Sequence, residues 1–174
     1  MKKLLAVLLF VLMLTGCGGK EAYETVRDVY APQDTPAMLQ IVVKIPEQAA
    51  ATVMTGDDGA KLYMCEDYFI TLQTLPGGDM EAVFRELTGY SSENLQVMRS
   101  EFLGLDRYRL VWTAAGEDAD MVGSAYIYSD GNYCYALTAM APECKAGELT
   151  KGAWKELFDS FRVVEPGSVI DSGS

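Results

Sequence analysis

The chain has 174 residues, with 14 lysines and arginines against 25 aspartates and glutamates, no histidine, and a formal charge of −11. An acidic balance of this size, with no run of basic residues, excludes a broad electrostatic footprint for nucleic acid. The missing histidine removes the commonest general base, the usual partner of a serine or cysteine nucleophile, and the commonest metal ligand, so most hydrolase chemistries lose their key residue.

Lys2 and Lys3 precede an uninterrupted apolar run over residues 4–14. Eleven residues are too few to cross roughly 30 Å of hydrocarbon as a helix, so the segment reads as an export signal. It stops at Leu14-Thr15-Gly16-Cys17, a cysteine directly after a small residue. Leu14, Gly16 and Cys17 resemble the lipobox of bacterial lipoproteins. The resemblance implies cleavage before Cys17, a diacylglyceryl group on its sulfur, and attachment to the extracytoplasmic face of a bacterial cell membrane. Two or three acyl chains, at about 0.8 kcal/mol per buried CH₂, make such attachment stable. The other reading is an ordinary secretory signal with an incidental cysteine. Losing Lys2 and Lys3 with the signal takes the charge from −11 to −13.

The expected organisation is a signal over residues 1–16, a lipidated cysteine and tether over 17–37, one domain over 38–164 and a polar tail over 165–174. The tether carries Gly18, Gly19, Pro32 and Pro36, with a short ordered piece over 24–30. As a flexible coil it would reach roughly 25 Å.

Strands are expected over residues 39–45, 52–55, 61–66 and 69–75, each bounded by turn-forming residues. Asp79 as N-cap, Gly89 as stop, and Met80, Val83, Phe84 and Leu87 at helical spacing then predict an amphipathic helix. Further strands follow over 95–103, 107–114, 121–129 and 133–140. A second helix is expected from Thr150, burying Trp154, Leu157, Phe158 and Phe161, and running into a last strand over 161–164. Hairpin-linked strands without βαβ alternation define an α+β domain: a single antiparallel meander flanked by two or three helices.

The stretch GAWKELFDSFRVV over residues 152–164, a tryptophan-bearing helix entering an edge strand after a long meander, resembles the superfamily of PsbP, the extrinsic photosystem subunit. The resemblance spans residues 39–164. It implies an antiparallel sheet sandwiched by helices and a non-enzymatic accessory role, and it transfers no functional residue.

Ser129-Asp130-Gly131-Asn132 predicts a two-residue type I′ hairpin, which would pair Tyr128 with Tyr133 and Tyr126 with Tyr135. Pairing Ala114 with Met121 sets Trp112 against Gly123 and Leu110 against Ala125, large residues over small. One face then carries Tyr108, Leu110, Trp112, Gly123, Ala125, Ile127, Cys134 and Ala136. The other carries Arg107, Arg109, Tyr126, Tyr128, Tyr133 and Tyr135, a candidate ligand-binding face for an anionic, sugar-like or aromatic-bearing partner. The alternative is that the arginine stems shield half-buried tyrosines beneath a helix or loop.

With Cys17 lipidated, Cys65, Cys134 and Cys144 allow at most one intramolecular disulfide. Cys65 with Cys144 is preferred because Cys134 lies inside a predicted strand; three thiols are the other reading. No CxxC spacing supports zinc or a redox motif, and the acidic turns at 57–59 and 116–120 lack EF-hand spacing. No metal, cofactor or catalytic residue is therefore expected. Two functional classes remain: a membrane-anchored, non-enzymatic binding or accessory module for an envelope protein, peptide or glycan, or a small histidine-free hydrolase of the cell envelope.

Overall fold

The computed structural model describes residues 23–26, 37–53 and 60–168. Among the described residues, ten strands form two antiparallel sheets. Strands β3 (Ala50–Val53), β4 (Lys61–Met64), β5 (Phe69–Pro76), β6 (Gln96–Phe102), β7 (Leu105–Ala114), β8 (Met121–Ser129) and β9 (Tyr133–Pro142) build a seven-stranded sheet in the order β3-β4-β5-β9-β8-β7-β6. Strands β1 (Tyr23–Val26), β2 (Gln40–Lys44) and β10 (Arg162–Val164) form a separate sheet with β2 in the middle. The antiparallel α+β architecture is as expected, but residues 39–45 leave the meander and pair with both ends of the domain. The ordered piece expected over 24–30 overlaps β1, which begins one residue earlier, and its remainder lies outside the described residues.

Helix α1 (Met80–Thr88) begins where Asp79 accepts the backbone N–H groups of Glu81 and Ala82, and ends on Gly89 at φ 79°. Such a left-handed cap suits glycine, which has no Cβ to clash. Val83 and Phe84 pack on Tyr108, Leu110, Trp112 and Ile127, forming a core on one face of the large sheet.

On the opposite face lie two helices, α2 (Glu143–Leu149) and α3 (Ala153–Ser160). Trp154, Leu157 and Phe158 of α3, with Ile41 and Val43 of β2, close over Ile70, Leu72, Tyr128, Tyr135 and Leu137. The predicted second helix is thus divided. Thr150 ends α2, its hydroxyl returning to the Ala146 carbonyl, and α3 starts only after Gly152. Residues 143–149 had no helical periodicity to read, because only Ala146 of this short helix is buried.

The β7–β8 register is the expected one, with Trp112 opposite Gly123 and Leu110 opposite Ala125. The β8–β9 register differs by two residues: Tyr128 faces Tyr135, not Tyr133. The Asp130 carboxylate accepts the backbone N–H groups of Asn132 and Tyr133, and the Asp130 N–H bonds to the Tyr133 carbonyl. This side-chain turn moves the two-residue loop one position on, to Gly131-Asn132 closed by Asp130 and Tyr133, so that Gly131 at φ 91° takes the positive φ that a turn at Asp130-Gly131 would ask of Asp130. Since the shift is even, every side chain keeps its predicted face.

Candidate functional site

The six residues of the proposed Arg/Tyr face do share one side of the sheet, but α3, β2 and β10 divide them. Tyr135 is 0% exposed and Tyr128 is 4% exposed, so neither belongs to an open surface, and the expectation of one is corrected for both. Tyr135 is a core strut. Its hydroxyl donates to Asp130 Oδ2 at 2.8 Å and accepts the Leu39 N–H at 2.9 Å, tying the hairpin to the small sheet. Burial, first among the causes, pushes its phenol well above the ordinary value. Tyr128 packs between the rings of Phe102 and Phe161. Tyr133 is half-buried beside Tyr135, and Arg107 lies over the Phe102 ring while donating to Ser100 Oγ.

Arg109 and Tyr126 remain together at a solvent-reaching hollow of about 280 Å³. Strands β7 and β8 supply its floor through Arg109, Val111, Val122, Ser124 and Tyr126; the α2–α3 region supplies Thr150, Trp154, Lys155, Phe158 and Asp159. The guanidinium carbon of Arg109 sits 5.5 Å from the Tyr126 ring centroid. Tyr126 in turn stacks on Phe158 at 4.6 Å and 28°. Lys155 is ion-paired with Asp159, and hydrogen bonding to that carboxylate raises the lysine above its usual range. Arg109 has no acidic partner among the described residues. The hollow is therefore an aromatic wall with one uncompensated cation at its rim, an arrangement that can receive a carboxylate, a phosphate or the face of an aromatic or sugar ring. Trp154 Nε1 is buried without a hydrogen-bond partner.

The α3 wall was invisible as a site residue set: Trp154 and Phe158 could be read as a buried helix face, but not that this face lands on Tyr126. Lys155 and Asp159, four apart, were the only local hint.

The preferred disulfide is absent. Cys65, Cys134 and Cys144 are all thiols. Cys65 is half-buried against the core and hydrogen-bonded to Tyr68, whereas Cys144 stands exposed on α2, and burial raises the Cys65 and Cys134 thiols. Cys17 lies outside the described residues.

An antiparallel sheet with α1 on one face and α2 and α3 on the other is the PsbP-like fold. No family model matches the chain, and no curated protein matches it. Among solved structures, cyanobacterial PsbP (CyanoP) from Synechocystis sp. PCC 6803 is similar at a TM-score of 0.58 and 13% identity, covering 85% of this chain and 96% of that one. A Bacteroides thetaiotaomicron VPI-5482 protein aligns at 0.48 and 14% identity, over 74% of this chain and 46% of that one. LpqN of Mycobacterium tuberculosis, involved in cell envelope biogenesis, aligns at 0.49 and 14% identity, over 82% and 91%. At these identities the likeness to CyanoP shows the fold alone.

Proposed function

We propose that the protein is a lipid-anchored extracytoplasmic lipoprotein whose PsbP-like domain is a non-enzymatic binding or accessory module of the cell envelope. The observation that carries this reading is the sequence Leu14-Thr15-Gly16-Cys17 at the end of an eleven-residue apolar run behind Lys2 and Lys3. No helix among the described residues is long and apolar enough to cross a membrane, so the proposed attachment is through Cys17 acyl chains. The ligand site in this reading is the hollow between Arg109, Tyr126 and α3, which offers recognition groups: a cation and stacked rings.

Cys17→Ser tests the anchor: the variant should accumulate as unprocessed precursor or leave the membrane fraction, and wild-type processing with membrane retention would reject lipidation. Arg109→Ala tests the site. Exposed Arg109 contributes little to folding, so its loss should abolish recovery of an envelope partner while the stability stays within about 0.5 kcal/mol. Undiminished recovery would move the site elsewhere.

A further inference from the structure

The seven-stranded sheet ends on one side in β3, only four residues long, and on the other in β6, seven residues long and exposed throughout. Natural sheets blunt such an edge with charged side chains, lysine above all, with proline or with a bulge; the charges of β6 are one pair of opposite sign, Arg99 and Glu101. β6 has neither proline nor lysine, and its seven consecutive pairs with β7 contain no bulge. It is also apolar where it could have been polar. Of the five large apolar side chains exposed among the described residues, Val97, Met98, Phe102 and Leu103 lie on β6 or the turn after it, with Met98 66% and Leu103 87% exposed.

We propose that β6 is a homodimerisation edge, pairing antiparallel with β6 of a second copy across a two-fold axis through Ser100. Backbone N–H and C=O groups alternate between the two sides of a strand, so directly opposed residues of identical strands must have the same parity. The axis therefore passes through a residue. An axis at Arg99 would set Arg99 against itself and Val97 against Glu101; one at Glu101 would set Glu101 against itself. Ser100 is the centre that makes the edge self-complementary. Met98 then faces Phe102 of the second copy, Val97 faces Leu103, and Arg99 faces Glu101, each contact occurring twice by symmetry.

Glu101 carries the charge argument. It lies directly across from Asp106 within its own copy, a like-charge juxtaposition that destabilises a sheet pair. Arg99 is the nearest cation, but its Nε and Nη2 already hold Asp106 at 3.1, 3.0 and 2.8 Å. Glu101 has no basic partner among the described residues. Arg99 of the second copy supplies one through Nη1, which the Asp106 bridge leaves unused. On the other face Ser100 is fixed by the Arg107 Nε–H and Phe102 by the Arg107 guanidinium above it, so the side chains of the pairing surface are pre-ordered. The result is one continuous sheet across two copies.

The test uses the full-length protein in detergent, and its readouts do not depend on whether Cys17 is lipidated. Sedimentation equilibrium should give a dimer mass that falls to the monomer in Met98→Lys. Arg99→Glu and Glu101→Arg should each give monomer, and the double variant, which restores opposite charges across the axis and keeps a cation beside Asp106, should return the dimer. In a Cys17→Ser, Cys144→Ser background, Ser100→Cys should form an intermolecular disulfide by itself. Met98→Cys should do so only when mixed with Phe102→Cys. A monomer mass up to the solubility limit, or a dimer that survives Met98→Lys without any Ser100→Cys link, overturns the proposal.

Discussion

Trp112 lies directly across from Gly123, and a Cβ built on Gly123 would lie only 2.2 Å from Cε2 of the Trp112 ring. The Trp112 ring thus occupies the space over Gly123 on the face of the sheet that α1 covers. Gly123→Ala should destabilise the domain by about 1–3 kcal/mol through overpacking. Trp112→Ala alone should cost about 3–5 kcal/mol. Combined, the two should cost less than their sum, because the second removes the obstacle the first creates. Denaturant titration of the four proteins checks the cycle; additive losses would mean that the close approach is not what constrains Gly123.

Trp154 is 2% exposed, and its indole N–H finds no acceptor. Two substitutions should therefore part company. Trp154→Ala empties a core position and should cost about 3–5 kcal/mol. Trp154→Phe also removes volume, but it deletes an unsatisfied buried donor, which offsets part of the loss. A smaller fall in melting temperature for phenylalanine than for alanine is expected.

The Tyr135 hydroxyl joins Asp130 to the Leu39 N–H. Tyr135→Phe keeps the ring and leaves both groups without that partner, so a loss of about 1–3 kcal/mol is expected. Hydrogen exchange should quicken at the Leu39 amide more than in α1. An unchanged stability would show that solvent replaces the hydroxyl.

Glu81 accepts the Ser92 N–H at 3.0 and 3.2 Å, and hydrogen bonding by the Ser92 side chain first, and by this N–H second, holds its carboxyl below the ordinary glutamate value of 4.5. The folded form therefore binds the proton more weakly than the unfolded form. The contribution is complete above the unfolded value and disappears as the pH falls through the folded one. Protection of the Ser92 amide should drop on acidification below pH 4.5, and Glu81→Gln should remove that pH dependence from this amide.

Local codes explain which elements were readable from the residues alone. Asp79 and Gly89 bound α1 because a carboxylate cap and a left-handed glycine act within one turn. The β7–β8 register was legible because tryptophan must meet something small. The β8–β9 register was not, since the Asp130 carboxylate competes with the backbone for Asn132 and Tyr133 and moves the turn one residue on. Pairing of β2 with β10, which sets Arg162 opposite Val42, joins segments far apart in the chain, and no pattern within residues 39–45 names either partner. The same limit governs the site: periodicity placed Tyr126, Tyr128 and Tyr135 on one face correctly, yet only tertiary packing decides that β2, α3 and Phe161 bury the last two and leave Arg109 and Tyr126 at a rim.

β1 also sets a leash. It begins at Tyr23, six residues beyond Cys17, where Tyr23 pairs with Lys44. Fully extended, six residues span no more than about 20 Å, less than the diameter of a small domain. For a Cys17-anchored molecule, the Lys44 end of β2 would hang closest to the lipid headgroups, with the Gln40 end, beside Val164, turned outward. The molecule could tilt and swivel, but it could not patrol the volume beyond its own height. Its encounters would be confined to a thin layer over the bilayer, where partners are met by lateral diffusion and surface density, rather than bulk concentration, sets occupancy.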